Sequence, residues 1–587
     1  MPDKVANNTR IILAAIFLAC ILAYLPLFNN GFTNWDDPDQ VLLNPDVHGL
    51  SFSAAKHIFS SFYVGMYQPV TMQVYAFIYA IFGEDPTAFH VFSLIIHLIN
   101  VLLVFILVRY FSRQDHLALI TAGLFALTPL QVESVAWVSA LSNLLYTAFY
   151  LAGLCTYLFF LRKKKWLWLA ITFLLFVSSV LSKPAAVTFP VMIYFMDLYY
   201  RRGYKVNTLL EKLPFLAVSI VIGMVIIGAR EQAGHIIDIS EHFNFAERVL
   251  LVVYALAFYI ARLFVPTGLS AFHPYPDGGH LTLVYYIAPL IPLMILFLIW
   301  RLRAEPRRQT LVGMVFFLTA IAIVMEIIPV GMQVVKERYV YLPSVGLYYS
   351  FAVLLMFFCS GRKAASWLPG SIVMMLLLVF AFITFARTGV WHDSLSLWND
   401  VLDKYPETSA AYINRGNTWL EMDELNHAVN DYSLALKYEP GAADAYLNRG
   451  LAYFRLKEQE LALKDFNHAI SLGIRDAETY NNRGLLRANL QDTQGAIADF
   501  DEAVLIDPAY TEAWINKGLV LANNKNYRQA FTAMSKAIGT DPSSARAYFW
   551  RGMVQYRMGL TVDACRDFRA AVSHGWPASQ IPGGICE

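Results

Sequence analysis

The chain falls into two parts by the rhythm of its apolar residues. Up to about Ala386, long apolar runs alternate with short polar connections; after about Trp391 apolar positions recur at helical spacing among charged ones. Runs near 20 residues with few charges suit helices that cross a ~30 Å hydrocarbon layer. They lie at 11–29, 87–109, 117–131, 140–161, 166–182, 185–200, 213–229, 283–300, 311–329, 340–358 and 369–387, about eleven spans. The first run is too long for a signal peptide, and no small-residue cleavage site follows it before Asn34, so it reads as a first transmembrane helix. Residues 246–265 are apolar enough to span. A span there puts Arg301 and Arg308 on the wrong side, so a re-entrant or interfacial helix is expected. Pro69 to Phe82 is expected to pack on the outer surface.

Basic residues orient the spans, because cytoplasmic loops are rich in Lys and Arg. Arg109 with Arg113, 162–165, Arg201-Arg202 with Lys205, 301–308 and Arg362-Lys363 mark the cytoplasmic side. The loop after the first span, which carries Asn34-Trp35-Asp36-Asp37-Pro38-Asp39, then faces away from the cytoplasm, and so does the C-terminal part.

That C-terminal part repeats itself. Ala411-Tyr-Ile-Asn-Arg-Gly416 recurs as Ala445-Tyr-Leu-Asn-Arg-Gly450, then at Thr479, Ala513 and Ala547 with the same 34-residue step. Ala428, Ala462, Ala496, Ala530 and Ala564 keep step, as do Pro406, Pro440, Pro508 and Pro542. This is the tetratricopeptide period, and such helix pairs stack into a superhelix with a concave groove. The expected fold is therefore all-α: a polytopic helix bundle over 1–390 and an extracytoplasmic repeat superhelix over 391–587. Arg415, Arg449 and Arg483 suit either a bound peptide backbone or contacts between repeats. Cys565 and Cys586 suit a disulfide in an oxidising compartment or two free thiols.

Composition agrees with this division. The chain is 57% hydrophobic and 15% charged, with a net charge of +1. That balance removes the electrostatic case for nucleic acid. Carboxylates beside a bilayer are costly unless solvated or paired, so Asp36 and Asp37 are functional candidates by default; capping or solvated loop residues are the plainer reading. Polar residues gather at the outer helix ends, among them Glu84, His90, Glu133, Asn143, Lys183, Glu326, Lys336, Glu337 and Arg338. A site at the outer face fits this better than a path through the membrane. His273 with Asp277 is a further outer-loop candidate. No Cys/His zinc spacing occurs, and a divalent ion on Asp36, Asp37 and Asp39 is considered and set aside.

Asp36-Asp37 after the first span, Leu181-Ser182-Lys183 at a helix end, Glu337-Arg338-Tyr339-Val340-Tyr341-Leu342-Pro343 before a late span and the repeats that follow occur together. In this combination the chain resembles the transmembrane and tetratricopeptide-repeat O-mannosyltransferases of the GT-C superfamily, over essentially its whole length. The resemblance implies a bacterial-type inner-membrane glycosyltransferase with its repeats in the periplasm. It implies transfer of a sugar from a polyprenyl-phosphate donor to Ser or Thr of an exported polypeptide. The lipid-linked sugar is then a co-substrate and no cofactor is expected. It implies Asp36, with Asp37 second, as the base, and Arg338, assisted by Lys183, on the donor phosphate. Glu133, Glu337, Tyr339, His90 and His273 are candidates for lining substrate, with hydrogen bonding inside the bundle the alternative for Glu133 and His90. The repeats would bind acceptor or partner protein.

The sequence departs from the family pattern at Gln68, Gln131, Asn143 and Pro184, each removing charge from the outer face. These losses motivate a non-catalytic membrane scaffold as the alternative, with a transporter third.

Overall fold

The computed structural model describes residues 2–200, 206–232, 243–276, 280–325, 333–359, 368–581 and 586. Asp277, Glu326, Arg201, Arg202, Lys205, Arg362 and Lys363 lie outside them. The described residues are 79% helical. Among the described residues the only paired strands are His273–Pro274 and Gln333–Val335, antiparallel.

Every predicted apolar run falls on a helix, and 246–265 falls on the Phe245–Arg262 helix. Among the described residues, six helices have the length and apolarity to cross a membrane: Asn7–Asn29, Pro86–Ser112, Val138–Lys163, Thr208–Ala229, Leu283–Arg301 and Leu368–Gly389. A seventh is the pair Asp115–Leu127 and Pro129–Ala136, bent by 56°. Pro69–Phe82, Trp166–Ser182, Pro184–Tyr199 and Ser344–Cys359 are apolar but shorter. This is a multi-pass membrane protein.

Proline explains two of the interruptions. A residue before proline is pushed out of the helical region, and Thr128 (φ −67°, ψ 132°) and Lys183 (φ −155°, ψ 130°) are both extended. Helix Trp166–Ser182 therefore stops at Lys183, whose side chain leaves the helical stack.

Contacts divide the chain into Met1–Pro406 and Glu407–Glu587. The boundary expected at 390 differs by one helix, Ser394–Lys404. It stays with the first unit because Trp398 donates its indole N–H to Asn34 (2.8 Å) and Ser394 Oγ accepts from the Asn34 amide (2.9 Å).

Within the first unit, polar ends of helices gather at two poles. At one, Thr9 and Arg109 both bond Asp115, Arg162 donates to the Tyr110 carbonyl and Arg308 to that of Tyr199. Its arginines are among those that the charge rule led one to expect on the cytoplasmic side. At the other, Asn30 donates to the Thr388 carbonyl and Gly31 to that of His392. The first and last spans therefore end together, beside Asp36.

The second unit consists of five helix pairs from Ser409–Glu421 to Thr561–Ser573. Glycine lets the two helices of each pair touch: a Cβ on Gly484 would lie 2.8 Å from the Phe500 ring. Arg415, Arg449, Arg483 and Arg551 grip Asp431, Asp465, Asp499 and Asp567 through paired hydrogen bonds of 2.6–3.0 Å. Arg449 and Arg483 also reach Ser433 and Asn467 of the preceding repeat. Of the two readings open for these arginines, the structure shows contacts within and between repeats. The fourth repeat carries Ala533 where the acid would stand, and its Lys517 turns to Asp501. Cys565 is bonded to Cys586, with Cα atoms 5.4 Å apart.

Candidate active site at the outer pole

A cavity of about 360 Å³ opens at the pole opposite the arginine-rich one. Asp36, Lys183, Arg338 and Tyr339 line it, together with Gln40, Trp137, Ser142 and Asn143. One wall is Gly223, Ile226 and Ile227 of the Thr208–Ala229 span, and Ile323 adds to it. Ile227 and Ile323 are more than half exposed, at 57% and 58%. In a bilayer such apolar surface faces hydrocarbon, so the cavity has a lipid side as well as a polar one.

Asp36 and Asp37 are adjacent but differently placed. Asp37 is buried. Its Oδ2 accepts from the Thr33 amide (2.8 Å) and hydroxyl (3.0 Å), and its Oδ1 from the Ser139 amide (2.9 Å) and hydroxyl (2.5 Å). Burial raises its carboxyl and the four donors oppose that rise. Asp37 thus fastens the loop to the Val138–Ala140 turn and does not line the cavity. With its neighbour held, Asp36 presents its carboxylate to the cavity. It keeps part of its surface open, yet the packed protein around it pushes it up to about 6. Desolvation is the largest cause; Arg338 pulls the other way, and Asp37 and Asp39 add to the rise.

Arg338 stands on a short turn, Glu337–Val340, where the chain enters the Ser344–Cys359 helix. Glu133 grips it twice, pairing with the guanidinium and accepting from the Arg338 amide at 2.8 Å. The guanidinium lies near three rings, Trp137 at 5.0 Å, Tyr339 at 5.4 Å and Trp35 at 5.9 Å. Such faces favour a cation, and Trp35 itself stacks on Trp137 at 4.8 Å. Burial tends to strip the proton from Arg338 and the Glu133 carboxylate outweighs it, so the side chain is a fixed cation. Lys183 donates to Asn143 Oδ1 at 2.6 Å and its ammonium lies 5.6 Å from the Tyr339 ring.

The remaining sequence candidates stand outside the cavity wall. Glu133 is a positioning partner of Arg338. Glu337 accepts from the Ser270 amide (2.7 Å) and contacts His273 Nε2 (3.0 Å), whose Nδ1 meets the Tyr405 hydroxyl (2.8 Å). His90 contacts the Gly31 carbonyl (3.2 Å) and helps set where the loop begins. The sequence placed Asn143 among the polar residues of the outer helix ends, but did not pick out Gln40, Trp137 or Ser142 as lining residues. The signal for Asn143 was present: a polar side chain opening an apolar helix, one bundle layer from Lys183.

One cavity thus brings together an acid, Asp36, two basic side chains, Arg338 and Lys183, and an exposed apolar wall. Residues 67–228 match the family model described as Dolichyl-phosphate-mannose-protein mannosyltransferase, and 420–477, 481–543 and 515–579 match tetratricopeptide repeats. The chain is 25% identical over 455 residues to Protein O-mannosyl-transferase F38B6.6 of Caenorhabditis elegans, covering 74% of this chain and 64% of that protein. It is 26% identical over 184 residues to Protein O-mannosyl-transferase Tmtc1 of Drosophila melanogaster, covering 30% of this chain and 21% of that protein. The chain thus spans under two-thirds of the length of each. Among solved structures, the tetratricopeptide protein YrrB is 23% identical with a TM-score of 0.29, covering 30% of this chain and 92% of YrrB; MamA is 24% identical with a TM-score of 0.27, covering 27% of this chain and 93% of MamA. The resemblance read from the sequence motifs is borne out: this chain is a protein-mannosyltransferase-like membrane protein that carries tetratricopeptide repeats.

Proposed function

We propose that this protein is a polyprenyl-phosphate-sugar-dependent glycosyltransferase of GT-C type, acting on Ser or Thr of an extracytoplasmic polypeptide. One observation carries the reading: Asp36 shares a lipid-facing cavity with Arg338 and Lys183. The Asp36 carboxylate takes the proton of the acceptor hydroxyl, and the freed oxygen attacks the anomeric carbon of the donor sugar. The bond from that carbon to the phosphate oxygen breaks, and the leaving lipid phosphate keeps the electron pair. Arg338 and Lys183 stabilise the charge that builds there, where a preformed cation costs no reorganisation. Arginine matches phosphate oxygens through paired donors. Attack opposite the phosphate inverts the anomeric centre.

A hydroxyl is a weak nucleophile near neutral pH, and a positioned base contributes about 10²–10⁴-fold. A base pushed up to about 6 still ionises at pH 7 and accepts a proton more readily than an ordinary carboxylate. The repeats present acceptor or partner, in the periplasm of a bacterial inner membrane.

The second reading, a non-catalytic scaffold, has one observation in its favour: Glu133 already occupies the Arg338 guanidinium and Asn143 the Lys183 ammonium. Purified full-length protein, given labelled polyprenyl-phosphate mannose and a Ser/Thr-rich polypeptide, separates them. Transfer of label to polypeptide supports the enzyme. No transfer from mannose, glucose or N-acetylglucosamine donors supports the scaffold.

A further inference from the structure

A second cavity, of about 450 Å³, lies at the opposite pole from the candidate active site. It runs between the Pro86–Ser112, Pro184–Tyr199, Ala304–Ile321 and Ser344–Cys359 helices. Its size is within the ~300–1,000 Å³ range of small-ligand sites. Its walls are apolar, including Val108, Phe195, Leu311 and Val315. Along its wall Gly313 meets Gly346, so tightly that a Cβ on Gly313 would lie 2.4 Å from the Gly346 carbonyl.

Only the rim is charged. Arg307 and Arg308 stand there beside Tyr199. Arg307 donates to the Trp300 and Leu302 carbonyls, both at 2.6 Å, while its buried Nε has no hydrogen-bond partner. Arg308 donates to the Tyr199 carbonyl (3.0 Å) and lies 4.3 Å from that ring. Among the described residues neither forms an ion pair, and the nearby carboxylate Glu305 bonds Gln309 instead. Among the described residues, then, two guanidinium groups are anchored by carbonyls, with Glu305 near them but in no ion pair with either.

The dimensions match one membrane leaflet. From Arg308 to Phe316 the helix rises about 12 Å at ~1.5 Å per residue, close to half of a ~30 Å hydrocarbon layer. We infer that this cleft is a binding site for one anionic glycerophospholipid of the cytoplasmic leaflet, its headgroup phosphate on Arg307 and Arg308 and an acyl chain along the wall toward Gly313. The cleft uses no residue of the transferase reading, so the two stand or fall separately.

Full-length protein in nanodiscs of phosphatidylcholine with phosphatidylglycerol, followed by native mass spectrometry after detergent transfer, tests this. The retained lipid should be phosphatidylglycerol, favoured about thirtyfold over phosphatidylcholine, as two nearby Arg charges imply. The R307Q/R308Q variant should bring the two lipids to parity. V315W, which fills the slot and keeps both arginines, should lose the retained lipid while its thermal midpoint shows it folded. R113Q, at the same pole but outside the cleft, should keep the preference. Equal retention by the parent, a preference that survives R307Q/R308Q, or equal loss in R113Q would each overturn the assignment. So would displacement of phosphatidylglycerol by an equimolar polyprenyl phosphate.

Discussion

Asp36 and Asp37 are neighbours in the chain with opposite surroundings: four donors from Thr33 and Ser139 enclose Asp37, while Asp36 faces the cavity that Arg338 lines. The enclosed acid fixes the loop from which Asp36 reaches the cavity. Placing a titratable group by locking the residue beside it resembles the orienting role of supporting shells around functional side chains.

Removing Asp37 should damage folding. Asp37→Ala leaves four donors buried without their acceptor, at roughly 1–3 kcal/mol for the exposed deficit. The thermal midpoint of the full chain should fall, while Thr33→Ala, which removes one donor of four, should lower it less.

The pH dependence has a definite sign. As a base, Asp36 works when ionised, so transfer should rise with pH through about 6 and level off above it. Arg338 holds the value down, so any residual activity of Arg338→Gln should rise at higher pH. A rate profile on a donor-saturated enzyme reads both.

The same carboxyl affects stability in the opposite direction. Its value is raised on folding, so the folded state gains by protonating it. Stability is greatest below the ordinary value of 3.8 and falls as pH climbs through about 6. Asp36→Asn should therefore raise stability at pH 7 by roughly 1–3 kcal/mol, seen as a higher thermal midpoint, and leave it nearly unchanged at pH 4.

Glu133 and Arg338 should behave as one unit. Glu133→Gln leaves a buried guanidinium without its partner, a loss of about 3–5 kcal/mol. Glu133→Gln with Arg338→Gln should be less destabilised than the sum of the two, which a double-mutant cycle in thermal unfolding measures.

In the repeats, Arg449→Ala strands the buried Asp465. It should increase hydrogen exchange in Gln459–Ser471. Lys517→Ala, whose partner Asp501 is exposed, should have little effect.

Much of this was legible in the chain before any coordinates. The 34-residue repeat declared itself because every helix pair buries the same Gly and Ala positions. The apolar runs gave the helices, and the run boundary at Pro184 matches a break, whereas the bend at Pro129 falls inside the run expected as one span over 117–131. Asp36, Lys183, Arg338 and Tyr339, scattered over 300 residues of sequence, meet in one cavity because their loops all lie at one pole, which the charge rule anticipates. The different surroundings of Asp36 and Asp37 were not legible, since Thr33 and Ser139 carry no periodic signal. Nor was the pairing of Glu133 with Arg338, 205 residues apart. About eleven runs were expected, and among the described residues six helices are of full spanning length; proline accounts for the stops before Pro129 and Pro184.

The most direct measurement compares donor binding and single-turnover transfer in the parent and in Asp36→Asn, using polyprenyl-phosphate mannose. The carboxylate acts on the acceptor, so Asp36→Asn should bind donor as the parent does and transfer at least about 10²-fold more slowly. Transfer by Asp36→Asn at the parent rate would contradict the account.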